Sequence, residues 1–550
     1  MGNVTRAADG SLPVKPVHIN DVNAIFEYKE VFHIMHQGAA TWEHLTSADL
    51  VHWTRRGKVF GPPPKNSSWD KEAECDGSLS FPAGLGPRIM WTPNCGFKVA
   101  GGGGGVGAGD YAHLAVAEAA DPADPLLLEW TKDKRNPCTG DIPSFPDSVW
   151  QSEVGDYYNM LGALNGKTPW ARYTSNADLL VWKLADPAFA TWANDSIGAA
   201  CQKCCSLNRQ PSKAAGGVSA PQWNRIPGAV PAGGPTHFIN MAKGNAFALG
   251  TYNATSEHMT LTSCTTVAEG AEYAWTATGG SSTPSKDGGG RVLSVAWLWP
   301  EKYTLPEASP CVEALSMVRE LRWDAIAAAA AGVGGTLISA PIPEYAALRN
   351  ATLLALESMA LSPGVWSPAL PLGGGGRGGG GDDTAAAAGS TSEISLALPL
   401  ADSAATSLGV AVLSPVSASA TELARSAIIW LNVSAPVGGG GGGGGRRRAT
   451  LSLINHHAPP VGNKTVVATQ AFTVGAAETE VALTIFVDRV VIEAFAMGGR
   501  AEVVGEEYPP DYTSAIHLVS DEATVVQNLT VHGMGCGWAA DLGGQTWGDI

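Results

Sequence analysis

From residue 17 to about 320 the chain is broken into short apolar runs, and this punctuation limits the folds open to it. Runs at 31–36, 88–92, 113–117, 157–161, 237–241, 246–252 and 291–298 are each long enough for one strand. Gly, Pro, Asn and Asp stand between them, the residues that hold turns by backbone freedom or by bonding their own main chain. Long amphipathic helices are scarce. Repeated antiparallel strands at this spacing make a sandwich, a barrel or a propeller.

A second group of strand-like runs follows at 393–400, 426–431, 481–487 and 490–495, reading as a separate all-β domain. Two domains also suit 550 residues, of which 45% are hydrophobic. Residues 312–350 bridge the two blocks. Glycine tracts at 101–105, 373–381 and 438–445 cannot bury surface and are expected as disordered loops; the three arginines after the last, Arg446 to Arg448, are expected as a solvated loop end.

The net charge is -16. Nucleic acid and anionic membranes are therefore excluded as partners, whereas neutral sugars stay open. The 18 tryptophans favour sugars, because an indole face stacks on a pyranose or furanose ring. No stretch reaches the roughly 20 apolar residues of a membrane span. Eight Asn-x-Ser/Thr acceptors, at Asn3, Asn66, Asn194, Asn253, Asn350, Asn432, Asn463 and Asn528, imply a secreted or vacuolar protein. Of nine cysteines, Cys201, Cys204 and Cys205 cluster without the second pair or histidines of a zinc site. Partial disulfide pairing is expected instead.

The candidate chemistry begins at Asn20-Asp21-Val22-Asn23, just ahead of the run Val31-Phe32-His33-Ile34-Met35 that leads to Gln37. An acid at the mouth of a strand, flanked by amides, can be kept ionised and aimed at a ligand. A polar turn is the competing explanation of this stretch alone.

Several blocks, in order along most of the chain, resemble glycoside hydrolase family 32, the invertases, inulinases and fructan-processing enzymes. Residues 18–24 are similar to its Trp-Met-Asn-Asp-Pro-Asn-Gly. Thr41-Trp42-Glu43-His44 with Ser47 to Trp53 resembles Trp-Gly-His and Ser-x-Asp-Leu-x-x-Trp. Asp76-Gly77-Ser78 is close to Ser-Gly-Ser, and Phe145-Pro146-Asp147-Ser148 stands where the family has Phe-Arg-Asp-Pro. Further on, Gly290-Arg291-Val292, Arg319-Glu320-Leu321 and Phe486-Val487-Asp488-Arg489 match later family blocks.

The resemblance implies a five-bladed β-propeller over residues 1–320, a β-sandwich over 321–550, and a sugar site in the propeller funnel. It implies a retaining mechanism, which needs two carboxyl groups about 5–5.5 Å apart. Asp21 would be the nucleophile, kept ionised by donors such as Asn20. Asp147 would bind sugar hydroxyls and steady the transition state. Asn20, Gln37, Trp42 and Ser78 would hold the fructosyl unit. The implied substrates are sucrose or fructans, and the mechanism calls for no metal or organic cofactor.

One position departs from the family. Its general acid lies in Trp-Glu-Cys-Pro-Asp, and the ungapped match at 199–207 sets Ala200 where the Glu belongs. From Ser196 to Ser256 there is no Asp or Glu at all. Asp195 and Glu153 are the nearest carboxylates to consider. Three readings follow: a β-fructofuranosidase-like hydrolase with its acid unassigned, a catalytically impaired sugar-binding protein, and a fructosyl transferase using the same residues.

Overall fold

The computed structural model describes residues 19–38, 41–61, 69–70, 74–93, 114–141, 148–164, 167–204, 222–228, 230–240, 246–278, 291–298, 314–326, 335–372, 391–400, 404–416, 419, 423, 426–436, 446–456, 465–507 and 515–535. The three glycine tracts and Asp147 lie outside them.

The first half forms five sheets of four or five strands built mainly of antiparallel hairpins, with Thr139–Gly140 and Ala190–Trp192 added in parallel at the outer edges of the third and fourth. We label only the strand that opens the run of hairpins in each, called its leading strand: β1 (Val22–Tyr28), β2 (Glu74–Ser80), β3 (Val149–Gln151), β4 (Gln222–Arg225) and β5 (Glu272–Ala277). Each sits at one edge of its sheet. These five strands meet one another: β1 lies against both β2 and β5, β2 against β3, and β4 against β5. The ring closes between β3 and β4, where Trp150 stacks on Trp223 at 4.7 Å. The leading strands therefore surround an axis and the sheets radiate from it as blades.

Side-chain alternation explains why five blades cohere. Successive residues of a strand point to opposite faces, so each blade offers apolar groups to both neighbours. Blades one and two share Phe26, Met35, Trp42, Leu79, Ile89 and Trp91. Separate cores follow between blades two and three, three and four, and four and five. Val22, Ile25, Ile34, Leu293 and Val295 close the circle between five and one. The expected five-bladed propeller is the fold.

The second half is the expected sandwich, six strands of one sheet packed on a five-stranded sheet, the first extended to seven by a strand from the propeller. Ile394, Leu483 and Val531 from one sheet meet Leu408, Ile429 and Leu451 from the other in a single core. The expected boundary at 320/321 falls inside blade five. Arg319–Asp324 and Thr336–Pro341 pair with Val292–Leu298 and complete that blade.

The two halves are joined by main chain and by charge. Glu269–Gly270 adds in parallel to the sandwich strand Ala501–Glu506. Gly270 has φ +130, and a Cβ there would lie 1.8 Å from the Val504 carbonyl oxygen, so only glycine permits this approach. Beside it the buried Arg319 guanidinium forms ion pairs with Glu272 of the propeller and with Glu493 and Glu502 of the sandwich. Trp275 and Phe495 cover it, with ring centroids 5.1 and 5.8 Å from the guanidinium carbon. Burial pushes the Glu272 carboxyl up to about 7 against the pull of Arg319.

Candidate active site

Blade one presents its acid from a clamped turn. The Asn20 N–H donates to the Gln37 carbonyl at 2.9 Å, and the Gln37 N–H donates to the Asp21 carbonyl at 2.8 Å. This zips the pair onto the end of the strand Val31–Gln37, and a register shift follows between Val22 and Ala24. Asp21 is half-buried at the entrance to β1. Asn20 also shapes the turn: its Oδ1 accepts the Asp21 backbone N–H at 2.8 Å.

Blade two supplies the neighbouring wall. Gln37 Nε2 donates to Asp76 Oδ1, tying the end of blade one to β2. Trp42 has no exposed surface, and its Nε1 donates to the Cys75 carbonyl at 2.8 Å. Gly77 lies flat against it, where a Cβ would come 2.7 Å from the indole. Trp42 is thus the packed wall behind β2, without an open stacking face. Ser78 is buried, and its Oγ has no hydrogen-bond partner among the described residues. Asp76 is a further polar group of this wall, marked in the sequence by its place in the Asp-Gly-Ser block beside Ser78.

Asp147 lies outside the described residues, but Ser148, next in the chain, is buried at the entrance to β3. Its Oγ accepts the Trp223 N–H at 3.1 Å. The beginning of β4 is therefore level with the beginning of β3. Trp223 turns toward blade three, stacking on Trp150, and also stacks on His237 at 4.5 Å. The adjacent residue, Asn224, must turn to the opposite face. Its cross-strand partner Phe238 packs there with Trp275 and Val292 of blade five.

Asn224 is 1% exposed, and neither its Oδ1 nor its Nδ2 has a partner among the described residues. A buried amide left this way costs about 1–3 kcal/mol per unsatisfied group unless a ligand or water bonds it.

Ala200 is not the residue at this end of the ring. It lies in a helix, α1 (Asp195–Cys204), packed on the strands Ala190–Trp192 and His258–Thr266 at the outer edge of blade four. A disulfide from Cys201 to Cys264 fixes it there, which realises part of the expected pairing. Asp195 opens the same peripheral helix. Glu153 accepts from Arg225 Nη2 at 2.8 Å, beyond the far end of β3.

The other carboxylates near the leading strands are engaged. Glu74 receives Lys132 at 2.7 Å and the Thr41 hydroxyl at 2.8 Å; burial still holds its carboxyl above the ordinary value. Glu257 pairs with Arg172 at 2.8 Å. Burial opposes its ionisation, yet bonds from Tyr157 and Ser152, with Arg172, keep its carboxyl below the ordinary value. The three clustered carboxylates Glu272, Glu493 and Glu502 surround Arg319 and belong to the junction.

A ring of strand ends carrying an acid on blade one, set before a β-sandwich, defines a propeller glycosidase. The chain belongs to glycosyl hydrolases family 32: residues 14–331 match the model of its N-terminal domain and 377–533 that of its C-terminal region. It is 25% identical to a fructan 6-exohydrolase of Beta vulgaris over 197 residues, 32% of this chain and 30% of that protein. The same identity relates it to an insoluble β-fructofuranosidase of Daucus carota over 32% of this chain and 31% of that one. The aligned stretch thus spans under a third of these relatives' own length.

In fold it is similar to fructan 1-exohydrolase IIa of Cichorium intybus, with TM-score 0.68, 16% identity and coverage of 95% and 98%. A form of that enzyme carrying a Glu-to-Gln exchange is known in complex with 1-kestose; TM-score is 0.67, identity 16%, coverage 95% and 98%. A fructosyltransferase of A. japonicus is also similar, with TM-score 0.61, 15% identity and 98% of both chains covered.

Proposed function

We propose that this chain binds the terminal β-fructosyl unit of sucrose or fructans in the propeller funnel and cleaves its glycosidic bond by a retaining mechanism. Asp21 attacks the anomeric carbon, and Asp147 steadies the oxocarbenium-like transition state by holding sugar hydroxyls. Asn20, Gln37 and Ser78 shape the fructosyl pocket, with Asp76 oriented by Gln37 and Trp42 as the wall behind them. The observation that carries this reading is the clamp on Asn20 and Asp21, which fixes one acid at the entrance of β1 within the ring of leading strands. The relatives named as fructan hydrolases and β-fructofuranosidases support the substrate class. Transfer of the fructosyl unit to a sugar acceptor would use the same residues.

A second reading, a sugar-binding member with impaired hydrolysis, is favoured by Asn224 and by the carboxylate-free stretch 196–256. The similar exohydrolase carrying a Glu-to-Gln exchange is known in complex with 1-kestose, so exchange of a carboxyl for an amide in that protein is compatible with sugar binding. A secreted or vacuolar setting fits the Cys201–Cys264 disulfide and the exposure of Asn194, Asn253, Asn350, Asn432 and Asn528. The experiment is release of fructose and glucose from sucrose and 1-kestose by the purified chain, with Asp21→Ala beside it. Turnover lost in Asp21→Ala supports the reading; turnover retained in it refutes Asp21 as nucleophile.

A further inference from the structure

The reaction needs a proton at a defined place, and the three strands of blade four nearest the axis carry no Asp or Glu. When the Asp21 carboxylate bonds to the anomeric carbon, the bond from that carbon to the bridging oxygen breaks. The bridging oxygen leaves with the electron pair and must take up a proton. A positioned acid commonly contributes about 10²–10⁴-fold at this step.

Four observations meet at Asn224. It lies on the strand of blade four nearest the axis, at the end of the ring level with the entrance of β3. The stacking of Trp223 on Trp150 turns Asn224 to the opposite face. Its amide is buried, with both polar atoms unpartnered among the described residues. And because no Asp or Glu occurs from 196 to 256, no sliding of β4 or of the two strands after it could bring a carboxylate here. The described carboxylates that could compensate are held by partners: Glu74 by Lys132, Glu153 by Arg225, Glu257 by Arg172, Glu272 by Arg319.

We propose that Asn224 faces the leaving group, where its amide hydrogen-bonds the bridging or neighbouring oxygens but keeps its protons. This rests on the fructosyl-site reading above. The chain then retains a working nucleophile and lacks only the acid. Sucrose binds and is cleaved poorly. A fructosyl donor whose leaving group departs as an anion needs no proton, so it still transfers fructosyl to Asp21. Fluoride leaves with the electron pair of its bond, the fructosyl–Asp21 ester forms, and azide or water then attacks the anomeric carbon and releases the carboxylate. Attack by azide needs no base.

The test uses the full chain with β-fructofuranosyl fluoride and sucrose, comparing wild type, Asn224→Glu, Asn224→Gln and Asp21→Ala. Wild type should release fluoride at least about 10²-fold faster than it hydrolyses sucrose, and azide should accelerate fluoride release and yield fructosyl azide. Asn224→Glu should raise sucrose hydrolysis about 10²–10⁴-fold, while Asn224→Gln should not. Should Asn224→Glu fail to fold, the wild-type ratio decides alone, and a ratio within about tenfold overturns the proposal. Folded Asn224→Glu with unchanged sucrose hydrolysis also overturns it. If wild type cleaves sucrose well and Asp21→Ala does not, the site at Asp21 stands and only the assignment of Asn224 falls. Fluoride release that survives Asp21→Ala, or no release and no calorimetric binding of sucrose, sinks the underlying site as well.

Discussion

Two regions of this molecule bury polar groups, and they answer them differently. At the junction with the sandwich, Arg319 is enclosed by Glu272, Glu493 and Glu502 and covered by two aromatic rings. Glu493 also accepts the Met317 N–H at 2.8 Å. There, charge is answered by charge. At the ring of leading strands, Asn224 and Ser78 are buried with polar atoms that no described residue bonds. The first arrangement is what holding two domains together requires. The second is costly for stability alone, and makes sense where a ligand supplies the missing bonds. Carboxylate oxygens of Glu272 and Glu502 also lack hydrogen-bond partners among the described residues, but they face the Arg319 cation, whereas no charge among the described residues answers Asn224 or Ser78.

The comparison can be broken by substitution. The largest effect is expected at Asp21→Ala, where fructosyl-fluoride turnover should drop on the order of 10⁴–10⁶-fold with the melting temperature little changed. A large melting shift instead would make the turn at Asp21 structural. Asp147→Ala should cost turnover about 10²–10³-fold, as for other stabilisers of developing charge. At the junction, Arg319→Met leaves buried carboxylates without their cation. Equilibrium unfolding should report a loss of about 3–5 kcal/mol, with sucrose affinity preserved. If stability held and affinity fell, the roles of the two regions would be reversed.

Removing the disulfide with Cys201→Ser and Cys264→Ser should cost about 2–4 kcal/mol and leave the junction intact, a pattern readable by hydrogen exchange. A pH series gives a finer test. Burial raises Glu272 to about 7 and lifts Glu502 as well, so the fold favours their protonated forms. The stabilisation from Glu272 is full below the ordinary carboxyl value and is lost as pH rises through about 7, and the raised Glu502 acts in the same direction. Melting temperature should therefore be higher at pH 5 than at pH 8, and Glu272→Gln should flatten that slope. The smallest effect is expected at Asn224→Leu. Deleting an unpaired amide should leave stability within about 1 kcal/mol of wild type, or above it, while weakening sucrose binding measured by calorimetry about tenfold.

Much of this was legible in the chain because it is local. Alternating apolar runs between turn residues marked most of the strands, and Arg88–Pro93, Val292–Leu298 and Val491–Ala496 fall within a few residues of the runs that announced them. The block around Asp21 pointed to the acid of blade one. The absence of acids from 196 to 256 needed no structure, since it holds in any register.

Tertiary structure decided three other matters. Strand pairing carried blade five past residue 320, because a strand belongs to the sheet that bonds it and not to its place in the chain. Arg319 found Glu493 174 residues away, a contact with no local mark. And in a stretch rich in Ala, Gly and Pro, matching on Cys201 selected a peripheral helix, whereas the strand nearest the axis is Gln222–Arg225. Sequence established that residues 196–256 bring no carboxylate; the packing of Trp223 on Trp150 is what turns the buried Asn224 to the opposite face of its strand.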